Sequence, residues 1–208
     1  MRMLSTALLV VVVLSMGLAD LSAREGDWSV TFSYNMATPT GRTAEYVDRY
    51  SWSGFGGEAS YWFDDHNTVG LTSGWQRFDA FYRDALANFD GGAVYGSQVR
   101  YVTSVPLLLT ATHYMADPID KIKPFVKLGA GVYWMTPVLE IGLYRFQDTR
   151  VHFGLMPSVG LDFKLDRKSS MVVQLDYNAA LSSGEGVLGS PSNEQSYIGI
   201  KVGFRFDN

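Results

Sequence analysis

Cysteine is absent from the 208-residue chain. That excludes disulfides, thiolate catalysis, thiolate zinc sites and a lipidated N-terminal cysteine. Charge is sparse as well: 18% of residues are Asp, Glu, Lys or Arg, against roughly 25% in soluble domains. The net charge is -4 and the basic residues form no cluster, so a nucleic-acid partner is not expected. Histidine occurs only 3 times, which leaves few candidates for general-base or metal chemistry. Beyond the N-terminus no stretch approaches the ~18 consecutive apolar residues of a membrane helix.

What is plentiful is glycine, 21 copies, and aromatic residues at 14%; both favour all-β structure. The N-terminus reads as an export signal. Arg2 supplies a positive charge, Leu4 to Met16 an apolar run, and Gly17-Leu18-Ala19 or Leu21-Ser22-Ala23 a small-residue cleavage site. The run is shorter than the ~20 residues that span a bilayer. Residues 1–23 are therefore expected to be a signal peptide cut after Ala19 or Ala23, and residues 24–208 one exported domain.

Period-2 alternation organises that domain, since successive strand side chains point to opposite faces. In the last stretch Ile198, Ile200, Val202, Phe204 and Phe206 alternate with Tyr197, Gly199, Lys201, Gly203 and Arg205. The pattern recurs upstream. Trp28, Val30, Phe32, Tyr34 and Met36 oppose Ser29, Thr31, Ser33 and Asn35; Phe55, Ala59, Tyr61 and Phe63 oppose Gly54, Gly56, Glu58 and Ser60. A third run spans about Thr68 to Arg77, with Phe78 to Tyr82 ambiguous. A fourth sets Val99, Tyr101, Val105, Leu107 and Leu109 against Gln98, Arg100 and Ser104. A fifth holds Val126 to Trp134, a sixth Val151 to Phe163, a seventh Met171 to Tyr177. Tight turns at 64–67, 116–121 and 166–169 alternate with longer loops at 39–50, 84–92, 136–147 and 182–193. The result is eight strands of roughly 9 to 14 residues, near the ~9–11 that cross a bilayer and above the usual ~5–6 of globular proteins. An even count puts both termini on the short-turn side, the periplasm in an outer membrane.

Alternation alone leaves two barrels open: a soluble carrier with its apolar face inward, or a membrane barrel with that face outward. The polar face is Gly, Ser, Thr, Asn and Gln with few charges, where a solvated face would carry many Lys and Glu. It suits a narrow interior. There Glu58, Asp162 and Asp176 are expected to offset Arg100, Lys127, Lys201 and Arg205, with Arg150 and His152 near the outer rim. Buried charges need partners, so the lumen is expected to be plugged. Trp28, Tyr61, Phe63, Tyr114, Phe163, Phe204 and Phe206 fall at turn ends, and Tyr34, Trp75, Tyr95, Trp134 and Tyr177 towards loop ends. Two such girdles are what membrane interfaces select. Pro106 and Pro157 interrupt predicted strands and are expected to mark bulges.

The whole segment 24–208 resembles the eight-stranded outer-membrane β-barrel families typified by OmpX and the OmpA transmembrane domain. The resemblance is carried by Tyr101-Val-Thr-Ser-Val-Pro-Leu-Leu-Leu109, by Lys123-Pro-Phe-Val-Lys-Leu-Gly-Ala-Gly-Val132, and by the aromatic closing strand. The family strand usually ends on Phe, whereas Asp207 and Asn208 follow here. The resemblance implies an all-β, eight-stranded, antiparallel, up-and-down transmembrane barrel in a bacterial outer membrane, inserted by the barrel-assembly machinery as a monomer. On that comparison Pro106 is an expected residue. No second, peptidoglycan-binding domain is expected.

Enzymatic members of such barrels act on lipids with a Ser, a His and an orienting group. His66 falls in a turn, His113 near a strand end, and His152 on the interior face. Ser158, the serine in the strand of His152, is six residues away, about 20 Å at ~3.3 Å per residue. The Asp64-Asp65-His66 triplet reads as turn chemistry. No catalytic residue, metal or cofactor is expected. The reading is a scaffold serving envelope integrity or loop-borne binding of lipopolysaccharide, outer-membrane lipid or an extracellular ligand. The alternatives are small-solute passage of the OmpW kind and an outer-membrane lipid-modifying enzyme.

Overall fold

The computed structural model describes residues 26–89, 92–117, 119–181 and 194–208, with side chains placed for all of these except 84–94. The predicted signal and loop 182–193 lie outside the described residues. The strands are β1 (Trp28–Thr40), β2 (Gly54–Trp62), β3 (Asn67–Phe89), β4 (Gly92–Tyr114), β5 (Ile122–Ile141), β6 (Tyr144–Gln147), β7 (Arg150–Lys164), β8 (Ser169–Ala180) and β9 (Gln195–Asp207). One short helix, α1 (Gly41–Tyr46), follows β1. Every pairing is antiparallel. β1 bonds both β2 and β9, and β4 bonds β5, so the sheet closes on itself through eight strands. The four-residue β6 pairs with β5 alone and stands outside that circuit.

Closure removes the sheet edges, and the burial pattern shows what closure achieves. Phe32, Phe55, Leu71, Leu109, Leu128, Phe153, Leu175, Ile200 and Phe204 point outward and are exposed. Ser29, Asn35, Thr72, Gln76, Ser104, Gln174, Asp176 and Arg205 are buried inside. This inverts the soluble arrangement; an outward face so apolar needs an apolar solvent. The inward-apolar carrier is thereby excluded as the geometry of this fold. Small inner residues make room: a Cβ on Gly199 would lie 2.9 Å from the Asp176 carboxylate.

Several strands run longer than predicted. β3 and β4 each have 23 residues and β5 has 20. Phe78 to Tyr82 belongs to β3, and most of the predicted 84–92 connection is β3–β4 ladder. The predicted 136–147 loop is instead the end of β5, a turn at Gly142 (φ 58°) and β6. The cause is cross-strand pairing of mixed polar and aromatic residues, such as Arg77 with Thr103 and Asp79 with Tyr101, which outweighs their weak alternation.

The prolines are not bulges. Pairing of β3 with β4 resumes in register beyond Pro106, and that of β7 with β8 beyond Pro157, each after a gap of two pairs. A missing N–H opens the ladder without shifting parity. Next to Pro106 the Ser73 hydroxyl donates to its carbonyl at 2.9 Å. A register shift falls instead between Tyr82 and Ala85 of β3.

At the turn end, Asp64 Oδ1 accepts from the backbone N–H groups of His66 and Asn67, both at 2.7 Å. The Asn67 amide, and then the His66 N–H, hold its carboxyl below the usual aspartate range.

Candidate functional site: the barrel interior

Inner positions of neighbouring strands meet in three tiers. At the turn end Arg205 of β9 pairs with Asp162 of β7 and with Asp207, the latter at 2.9 Å. Its Nη1 donates to the Tyr114 hydroxyl at 2.8 Å, and its guanidinium lies against the rings of Trp62 and Tyr114, which stack on each other. Trp62, Tyr114, Phe125 and Val172 form an apolar floor around it. Parity puts Tyr114 here, in the interior, rather than in the outer girdle predicted from its strand-end position; it is 7% exposed.

In the middle tier Lys127 Nζ donates to Glu58 Oε2 at 2.6 Å and to Gln174 Oε1 at 3.3 Å, while Ser60 Oγ donates to Glu58 at 3.0 Å. Lys201 faces Asp176 at 3.6 Å, and Asn178 also donates to Asp176. These side chains are nearly enclosed, so the attraction acts at low effective dielectric, and each ion needs its partner. Six of the predicted lumen charges meet here and in the floor: Glu58 with Lys127, Asp176 with Lys201, Asp162 with Arg205.

The other three do not join that network. Among the described residues, no lumen carboxylate pairs with Arg100. It donates to Gln98 Oε1 at 2.8 and 3.1 Å and lies against the Tyr46 and Tyr82 rings. Its position in long β4 carries it above the acids. Arg150 pairs with Asp148 at 2.6 Å at the half-exposed rim. His152 is buried with Nδ1 2.9 Å from the Leu181 carbonyl oxygen. Among the described residues, no group of three or more His, Asp or Glu is arranged to hold a metal.

The upper tier is apolar, which departs from the polar lumen with paired charges expected from the sequence. Phe78, Val102, Leu108, Tyr133, Met135, Met156 and Tyr197 pack together, with Tyr46 and Val47 above them. The signal was partly legible: Val102 and Leu108 share the parity of Arg100 and Ser104. Tyr46 and Val47 lay in a stretch read as loop. α1 brings them over the mouth, where the Tyr46 hydroxyl donates to the Val138 carbonyl at 3.0 Å. Burial pushes that phenol up to about 12. Thr43 Oγ1 accepts from the Ser196 N–H at 3.0 Å and ties α1 to β9.

Among the described residues, two small interior cavities of about 30 Å³ each touch Lys201. Each is the size of a water molecule or so. On the outer wall, a groove of about 550 Å³ lies over the Pro157 gap, lined by Val126, Leu128, Pro157, Val159, Leu175 and Tyr177 among others.

No protein-family model and no curated protein matches the sequence. Solved structures do match in fold. Neisserial surface protein A is similar over 88% of this chain and 99% of its own, at 11% identity and a TM-score of 0.55. The outer membrane protein OprG from Pseudomonas aeruginosa is similar over 90% of this chain and 99% of its own, at 14% identity and a TM-score of 0.54. The likeness is one of architecture, spanning essentially the whole of both barrels. The chain has the fold of the small eight-stranded outer-membrane β-barrels.

Proposed function

We propose that this chain is a monomeric, non-catalytic outer-membrane barrel, exported by residues 1–23, with the barrel in 24–208 and both termini in the periplasm. It acts as an envelope scaffold that presents its loop-side strands to lipopolysaccharide, outer-membrane lipid or an extracellular ligand. The barrel-assembly machinery is its partner during insertion. The observation that carries this reading is the combination of an apolar outer belt with an interior filled by ion pairs and a packed upper cluster. Such an interior serves stability, and rigid frames place specificity in their loops. The test is conductance of the folded protein in planar bilayers, with lipid hydrolysis and acyl transfer assayed in parallel. Neither conductance nor turnover is expected; a sustained current or lipid turnover lost in His152→Ala overturns the scaffold.

One pair of observations favours a second reading, passage of small apolar solutes. The upper interior is apolar, and the wall groove sits where the β7–β8 ladder is open. Liposome uptake of an apolar dye that is lost when Val102→Trp fills the upper tier is the result that would favour it.

A further inference from the structure

Outward positions of β1, β2, β7, β8 and β9 carry no charged residue. Among the described residues, charge appears on the outer wall only where β3 and β5, with β6 beside it, run on towards the loop end. The rows there can be read from the register. Val105 lies opposite Trp134, and Trp134 opposite Val151, with Trp75 on the same face of β3. This row is the aromatic rim of the apolar belt. One step further along, Arg77 lies opposite Thr103 and Thr103 opposite Thr136. The next row holds Asp79 and Tyr101, and the one after it Glu140 with Arg145.

The Arg77 row is thus a cation flanked by two hydroxyls, with no carboxylate in it. Its guanidinium lies over the Tyr101 ring, 4.0 Å from the centroid, so its orientation is held by an aromatic face rather than by an acid. Among the described residues no carboxylate stands within ion-pair distance of it. Of the two acids nearby, Glu140 accepts from the Tyr101 hydroxyl at 3.2 Å and faces Arg145 at 3.7 Å, and Asp79 points outward one row away. Thr136 Oγ1 is 3.0 Å from Thr149 Oγ1, which extends the run of hydroxyls.

A planar guanidinium with hydroxyls beside it is a phosphate-recognising set. Its level, one row beyond the tryptophans that mark a membrane interface, is that of lipid headgroups. We propose that Arg77, with Thr103 and Thr136, seats the phosphate of an outer-leaflet lipid headgroup, whose acyl chains lie along the Trp75–Trp134 face. The site rests on the outer-membrane reading above and names the lipid chemistry that the outer wall selects.

The test uses the full chain refolded into phosphatidylcholine nanodiscs doped with phosphatidic acid, and native mass spectrometry counts the phosphatidic acid retained. One molecule per chain is expected. Arg77→Gln lowers its occupancy about tenfold, in line with loss of a hydrogen bond to a charged group. Thr136→Val lowers it less, and Arg77→Lys restores part of it. Arg167→Gln, in the turn at the other end of the barrel, leaves it unchanged. Heat-dependent gel mobility verifies that each variant is folded. Undiminished retention in Arg77→Gln overturns the proposal, as does an equal loss in Arg167→Gln, which marks non-specific charge. Full displacement by inorganic phosphate overturns the lipid as its source. Failure of the chain to enter the discs sinks the membrane reading itself; weak retention by embedded chains sinks only the site.

Discussion

Replacing Glu58 by Leu removes one side of an enclosed lysine pair in the lumen. Lys127 and Glu58 meet at 2.6 Å with side chains only 7% and 13% exposed. After the change Lys127 keeps a single neutral acceptor, Gln174 Oε1 at 3.3 Å. Asp176 is already engaged by Lys201 and Asn178. Breaking one side of a buried pair leaves an uncompensated charge and costs about 3–5 kcal/mol. Replacing both partners by apolar residues of similar size is roughly neutral, so Glu58→Leu with Lys127→Met is expected to recover most of the loss. Tryptophan fluorescence during urea unfolding from lipid vesicles measures both, and the double-mutant cycle isolates the pair. A single-variant cost below about 1 kcal/mol, or a double variant worse than either single one, refutes the claim that this pair is desolvated and mutually dependent.

Three further outcomes follow from the same geometry. Leu128→Arg places a cation in the middle of the outer belt and is expected to cost about 2–4 kcal/mol at mid-membrane, whereas Ile119→Arg, in the exposed β4–β5 turn, costs little; urea titration in vesicles compares them. Pro157→Val returns an N–H to the β7–β8 gap, and a new amide protected from hydrogen exchange and about 0.5–1.5 kcal/mol of added stability are expected. Asp64 has a folded pKa below its unfolded one, so its contribution is fully present above the unfolded value and is lost as pH falls through the folded one. Asp64→Ala is therefore expected to flatten the fall in unfolding midpoint below about pH 4, without altering the neutral plateau shape.

The barrel was legible because a half-lipid, half-lumen strand must alternate, and the closing strands do so over most of their membrane-level length. The ion pairs were legible as a set of inward charges, because parity alone puts Glu58, Lys127, Asp176, Lys201, Asp162 and Arg205 on one face. Their partners were not, since which charge meets which depends on shear between strands far apart in sequence. Arg100 illustrates the failure: its parity is inward, yet its height along β4 puts it among Tyr46 and Tyr82 and above every lumen acid. The upper apolar tier escaped notice because its residues are interspersed with polar ones within each strand and converge only across strands. α1 escaped because six residues between a strand and a loop carry no periodic signal. The long extension of β3 and β4 was hidden by the loss of alternation at Arg77 and Asp79, where the outward face leaves lipid and no longer needs to be apolar.

The absence of native cysteine allows the central claim to be tested at single positions. Phe32→Cys, Leu128→Cys and Ile200→Cys, against Thr31→Cys and Gln174→Cys, would each be labelled with a fluorophore in vesicles containing spin-labelled lipid. Strong quenching at Phe32, Leu128 and Ile200 and little at Thr31 and Gln174 is the predicted result. Equal quenching at both parities, or quenching confined to Thr31 and Gln174, contradicts the account.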